Sequence, residues 1–331
     1  MKQYDIYGIG AALVDTEIEV SEEDLKAFGI EKGVMTLVDS ARQLELMDLL
    51  AGHLIHSKKA SGGSAANSVI AASYFGSNNF YSCRVANDDN GQFYLADLSE
   101  AGIDYHNHNG SQIGTTGKCL VMITDDAERT MNTFLGISET LCDTDINEDA
   151  LKSSKYAYIE GYLVTSETGK PAAIKVREIA QEAGVKVAFS LSDPAIVTYF
   201  HEGLCEMIGA GIDLLFCNQA EAMSFTKADS LSEACEKLKT ISTCFAITLG
   251  ADGALVFDGE ELHIVDGHAA TAVDTNGAGD MFAGAFLYGI SNGMSFAKAG
   301  ALGNLAASKV VAQYGPRLQA PQHADILSQA K

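Results

Sequence analysis

Apolar and polar positions along the chain fall into blocks of strand and helix length that succeed one another almost to its end. Residues 4–10 form a short apolar run of strand length, and residues 13–20 alternate weakly, as a strand with one exposed face does. Residues 41–50 predict a helix. Residues 65–75 are small and apolar and predict a buried helix started by a turn at Gly62 and Gly63. A strand over 80–85 and a helix over 88–101, with Gly102 beyond its end, come next. Residues 118–124 and 129–134 predict strands paired across the polar turn 125–128. From residue 156 the alternation is regular: strands at 156–160, 186–190, 212–216 and 245–249, helices at 169–183, 218–226 and 231–240. A hairpin over 253–265 and two apolar helices, near 278–290 and 295–313, complete the series. Such alternation predicts an α/β fold of three layers, a mainly parallel central sheet with helices on both faces. Segments 11–38 and 104–135 fit it less well and can pair as a small separate sheet.

Composition narrows this picture. A chain of 331 residues holds one large α/β domain with an insertion, or two domains. Only four prolines occur and no linker interrupts the sequence, so 1–331 is taken as a single unit. With 22 basic against 44 acidic residues the net charge is −22, which argues against nucleic acid or an anionic membrane as partner. The seven cysteines lack any C-x-x-C pair and fit neither a zinc site nor a disulfide framework. Reduced thiols, the lack of a signal-like start and of an 18-residue apolar run point to the cytoplasm. The eight histidines show no metal spacing; His106 and His108 would share a strand face without a third ligand.

The chemistry concentrates in residues 274–284, Asp-Thr-Asn-Gly-Ala-Gly-Asp-Met-Phe-Ala-Gly. Gly277, Ala278 and Gly279 stand where an apolar helical run begins, and Asp280 follows at once. A small-residue turn at a helix start exposes N–H groups that attract anions. A carboxylate beside it is a candidate base, and the pair suits phosphoryl transfer to an alcohol. Far upstream, residues 62–76 read Gly-Gly-Ser-Ala-Ala-Asn-Ser-Val-Ile-Ala-Ala-Ser-Tyr-Phe-Gly. Gly8-Ile9-Gly10 is an incomplete dinucleotide fingerprint: Leu13 stands where the third Gly belongs. No Walker A sequence is present.

Together the two strings resemble the signatures of the ribokinase-like (PfkB) carbohydrate and nucleoside kinases. Further strings bring the chain closest to the adenosine-kinase branch of that family: Leu13-Val14-Asp15, Glu128-Arg129-Thr130, Ile159-Glu160-Gly161-Tyr162-Leu163, Ser190-Leu191-Ser192-Asp193-Pro194 and Asp213 to Glu221. The resemblance implies a ribokinase-like fold with a small β-sheet lid, for which segments 11–38 and 104–135 are the candidates. It implies ATP and Mg²⁺, and leaves a monovalent cation open. Asp280 would be the catalytic base, with Gly277, Ala278, Gly279 and Arg129 holding the transferring phosphoryl group. Asp15 would take the acceptor's ribose hydroxyls, with Gly62, Gly63 and Asn67 close by and Tyr162 stacked on a base. Asn218, Thr248, Gly250, Gly253, Thr275 and Asn276 would belong to the nucleotide site, and Glu221 would reach Mg²⁺ through water. Asn218 and Glu221 also suit a plain helix cap. The chain departs from the family at Ala11, where a polar residue is common, and at Arg84 and Asn87, in a stretch more often glycine-rich.

The expected activity is ATP-dependent phosphorylation of a primary hydroxyl, that of adenosine foremost, giving AMP. The rivals are a kinase of a free sugar such as ribose or fructose, and a non-catalytic nucleoside-binding protein. A small-molecule acceptor and ATP are the expected partners, in a monomer or a lid-mediated homodimer.

Overall fold

The computed structural model describes residues 3–53, 59–106 and 109–330. His56 and His108 lie outside them. The strands, in chain order, are β1 (Tyr4–Ile9), β2 (Leu13–Glu19), β3 (Met35–Leu37), β4 (Lys59–Gly62), β5 (Asn79–Ser82), β6 (Asp104–Tyr105), β7 (Gly117–Ile123), β8 (Arg129–Phe134), β9 (Ser154–Glu160), β10 (Lys186–Ser190), β11 (Ile212–Asn218), β12 (Ser242–Thr248), β13 (Ala254–Phe257) and β14 (Leu262–Val265).

Nine of these form one sheet in the order β14-β13-β12-β11-β10-β9-β1-β5-β6. Its pairs from β6 to β12 are parallel, and β13 and β14 extend it antiparallel. Successive residues on its strands go to opposite faces, as the pleat requires. On β11, Leu215 and Cys217 enter one apolar layer while Leu214 and Phe216 enter the other. The first layer packs against helices such as Gly169–Glu182 and Gln219–Thr226, the second against Ser64–Phe75, Ala278–Ser291 and Phe296–Val310. This is the three-layer α/β fold that the alternation predicts.

A second sheet runs β3-β8-β7-β2-β4. Leu13 to Glu19 pair in parallel with Gly117 to Ile123, and β7 turns back into β8 across 124–128. β4 also joins this sheet, antiparallel to β2, from a stretch in which no strand is predicted. Its last residue, Gly62, leads directly into helix Ser64–Phe75. One chain direction thus carries both the sheet edge and the helix start to the same place.

The short helices Glu22–Ala27, Pro194–Tyr199 and His201–Ile208, and the C-terminal helix Ala320–Gln329, are not predicted. The predicted strand 80–85 ends at Ser82; beyond it the N–H groups of Val85 and Ala86 donate to the side chains of Asn109 (2.9 Å) and Thr116 (3.0 Å) and not to a neighbouring strand. No helix among the described residues is long and apolar enough to cross a membrane.

Candidate active site

The carboxyl ends of the parallel strands meet the second sheet around a cavity of about 400 Å³. Open α/β sheets place ligands at such strand ends. Its walls include Asp15, Gly63, Asn67, Arg129, Tyr162, Asn218, Glu221, Thr248, Gly250 and the run Thr275 to Asp280. Gly62 and Gly253 are absent from the walls and do other work.

Asp15, in mid-β2, is 5% exposed and one of its oxygens has no hydrogen-bond partner. Burial pushes its pKa well above the ordinary value, Glu17 adds to this, and Arg317 and Arg129 oppose it. Any side chain at Gly62 would overlap the Asp15 carboxyl group. Gly62 therefore makes room for Asp15, where the sequence suggests a close approach to substrate. Gly63 has φ +96° and sits against the carbonyl of Ala11, a conformation and contact that suit glycine.

From Gly63 starts helix Ser64–Phe75, and its first turn meets Asp280. Ser64 Oγ donates to Asp280 Oδ1 at 2.6 Å, and Asn67 Nδ2 donates to Oδ2 at 3.0 Å. Asn67 Oδ1 is left buried and without a partner. Asp280 sits in the first turn of helix Ala278–Ser291, whose dipole favours the ionised form. Burial nevertheless raises its pKa, against the opposing pull of Ser64, Asn67 and Arg129. Asp280 is therefore more basic than the helix dipole alone would leave it.

The turn before this helix is held from behind. Buried Asp274 accepts from the N–H groups of Asn276 (2.8 Å) and Gly315 (2.9 Å). Gly277 caps the helix at φ +75°, and a Cβ there would overlap the backbone of Pro316. Gly279 is different: a Cβ would meet no protein atom within 4 Å, and the same holds at Gly250. Backbone is thus laid open at both. Asn276 Nδ2 is buried without an acceptor. Thr275 Oγ1 donates to the carbonyl of Ala127 at 3.2 Å, so the β7–β8 turn rests on this loop.

Arg129 opens β8 and faces the same space. Burial disfavours its charge, but Tyr162 and the carboxylates of Asp280, Asp193 and Asp274 outweigh that and raise its pKa. Asn218 ends β11 and caps helix Gln219–Thr226 in a full capping box: its side chain accepts from the Glu221 N–H, and Glu221 accepts from the Asn218 N–H (2.9 Å) and Nδ2 (2.6 Å). Burial raises the Glu221 pKa to about 7. Two of its roughly four acceptor sites stay open, enough for a water-borne cation. Among the described residues no group of three or more His, Cys, Asp or Glu gathers to hold a metal directly. Gly253, at φ +99°, lies against the backbone of Val265 and closes the hairpin behind Thr248 and Gly250.

Among the polar residues of the site without a predicted role are Ser64 and Glu160. Ser64 hides inside the diglycine string. Glu160 ends a buried strand run, Tyr-Ala-Tyr-Ile-Glu, where a lone acid among apolar residues is the available signal.

Against known proteins, residues 37–323 match the model of the pfkB family carbohydrate kinases. The solved adenosine kinase from Sinorhizobium meliloti is 32% identical, with a TM-score of 0.93 over 99% of this chain and 100% of that one. A probable sugar kinase protein from Rhizobium etli is 31% identical, at TM-score 0.93 over the whole of both chains. The adenosine kinase of Saccharomyces cerevisiae is 26% identical over 328 residues, 93% of this chain and 95% of that protein. With most of its length matched, the chain belongs to the pfkB family of carbohydrate kinases.

Proposed function

We propose that this kinase transfers a phosphoryl group from ATP to the 5′-hydroxyl of adenosine, giving AMP. The observation that carries the reading is the position of Asp280. It follows a helix-start turn whose backbone lines the cavity, and it is also hydrogen-bonded to the helix start that adjoins Asp15. An acceptor hydroxyl held near Asn67 Oδ1 and Asp15 would meet Asp280. A phosphoryl group would meet the N–H groups of the turn, Asn276 Nδ2 and Arg129.

Asp280 takes the proton of the attacking hydroxyl. Its raised pKa makes it a better base than a solvated carboxylate, and its two donors fix its direction. Asp15 accepts from two vicinal hydroxyls of a ribose. Leu13, Met35, Met131, Leu135, Leu163 and Tyr162 give the cavity an apolar stretch suited to a flat base, which a free sugar would leave unused. Bound Mg²⁺ supplies neutralisation of phosphate charge, and Asn218 and Glu221 are the residues that would orient its waters. We read the whole chain as one kinase domain, with the second sheet as the lid that excludes water from the reaction.

The test is a comparison of kcat/KM for adenosine, ribose and fructose with saturating ATP and Mg²⁺. Adenosine should lead by about tenfold or more, the worth of burying even a small apolar group. A tenfold lead for either sugar would overturn the nucleoside reading and leave the kinase family intact.

A further inference from the structure

Gly8 and Gly10 invite comparison with a dinucleotide fingerprint, yet the structure gives them another reason. A Cβ at Gly8 would press on Val69 and Tyr81, and one at Gly10 would lie 2.5 Å from the Glu160 carboxyl carbon. Gly10 thus leaves space for a carboxylate that is completely buried. Among the described residues Glu160 forms no ion pair. Its Oε1 accepts from the Ala11 N–H at 2.7 Å, and its Oε2 accepts from the Ala65 N–H at 2.8 Å. Burial pushes its pKa up to about 7. A buried acid is costly where an apolar side chain would pack, so something must favour its retention. A carboxylate is the side chain of this length that offers an acceptor oxygen to each of two N–H groups. Glutamine would turn an N–H donor towards one of them.

What Glu160 ties together is informative. Ala11 follows β1, and Ala65 is in the first turn of helix Ser64–Phe75. The residue before Ala65 is Ser64, whose hydroxyl donates to Asp280. A continuous chain of contacts therefore runs from the end of β9 through Glu160 and the Ala65 N–H to Ser64 Oγ and Asp280. We propose that Glu160 and Ser64 are positioning residues for Asp280: Glu160 pins the helix start, and Ser64 aims the carboxylate. The proposal rests on the reading of Asp280 as the base. It assigns Glu160 no contact with substrate and no proton in the reaction.

The experiment measures kcat, both KM values and ATP affinity by calorimetry, with adenosine and ATP, in Ser64→Ala, Ser64→Thr, Glu160→Gln and the Ser64→Ala/Glu160→Gln double variant. Losing one hydrogen bond to a charged group should lower kcat roughly 10- to 100-fold in Ser64→Ala. Ser64→Thr keeps the hydroxyl and should recover to within about threefold of wild type. Glu160→Gln should lower kcat comparably, with ATP affinity within about twofold. If Glu160 acts through Ser64, the double variant falls little below Glu160→Gln alone; independent roles would multiply instead. Multiplying losses, a Ser64→Ala enzyme with normal kcat, or a Ser64→Thr enzyme as slow as Ser64→Ala would each overturn the proposal. The last two outcomes decide it even where Glu160→Gln fails to fold. Asp280→Asn serves as the control. Normal turnover there would sink the base itself, whereas an inactive Asp280→Asn beside a normal Ser64→Ala sinks the positioning proposal alone.

Discussion

Around Asp15 the polar groups of the cavity are side chains: the buried Asp15 carboxyl, the buried Asn67 amide and the partly buried Asp280 carboxyl, which Ser64 and Asn67 hold in place. Around Gly250 and the Thr275–Gly279 turn the exposed material is largely backbone, with two glycines whose Cβ positions are empty. The first kind of wall accepts protons and hydroxyl hydrogens; the second offers N–H donors to anions. Carboxylates at the first end would repel phosphate, and a chain of net charge −22 gives no global attraction for it. On the proposed reading the two ends divide the substrates between them, and Asp280 is shared by both.

The largest expected effect comes from removing that shared group. Asp280→Asn keeps size and one hydrogen-bond acceptor but cannot take a proton, and kcat should fall roughly 10²- to 10⁴-fold. Nucleotide affinity should persist and the melting temperature should hold or rise slightly, since a buried acid is removed. A folded variant with near-normal turnover would dissolve the distinction between the ends.

A smaller effect, confined to one end, follows from Asp15→Ala. Loss of charge-assisted hydrogen bonds should weaken acceptor binding by about 2–4 kcal/mol. The KM for ATP should change far less. Gly62→Ala tests the same end without touching a polar atom: its methyl displaces the Asp15 carboxyl group, so it should raise acceptor KM in the same direction. Equal losses for both substrates in either variant would contradict the division.

The smallest effect concerns stability. Burial holds the Glu221 carboxyl at a pKa of about 7, above the ordinary 4.5. Between those values the folded chain keeps a proton that the unfolded chain has released. Stability therefore falls as pH rises through this window, by on the order of 1–3 kcal/mol for this group. Glu160 titrates over the same range, so the informative quantity is a difference. Melting curves at pH 5 and pH 8 should show a shallower decline in Glu221→Gln than in wild type. Parallel declines would place the Glu221 carboxylate in a more polar setting than the cavity wall provides.

The same two ends differ in how far the sequence discloses them. Gly277, Ala278, Gly279 and Asp280 are contiguous, and a left-handed glycine before a helix has a local cause, so their arrangement is legible in order. Asp15 and Asn67 are legible as residues but not in their contacts. Gly62 reads as a substrate-facing glycine because its overlap with Asp15 depends on the pairing of β2 with β4, 40 residues or more apart in the chain. Glu160 is invisible as a tie because its partners, Ala11 and Ala65, come from two other elements. The parallel strands announce themselves through buried apolar runs. Helices Glu22–Ala27 and Pro194–Tyr199, six residues each, are too short for a period of 3.6 to show. They depend on caps, Ser21 and Asp193, that resemble ordinary turn residues.

On the proposed reading a nucleoside's primary hydroxyl is delivered to Asp280 while its ribose is held at Asp15. The most direct measurement is ³¹P NMR of the products formed from an equimolar mixture of adenosine, ribose and fructose with ATP and Mg²⁺. Adenosine should be consumed first, and the new phosphorus signal should be that of 5′-AMP, coupled to two 5′ protons. A sugar phosphate as the main product, or a nucleotide phosphorylated at a secondary hydroxyl, would contradict it.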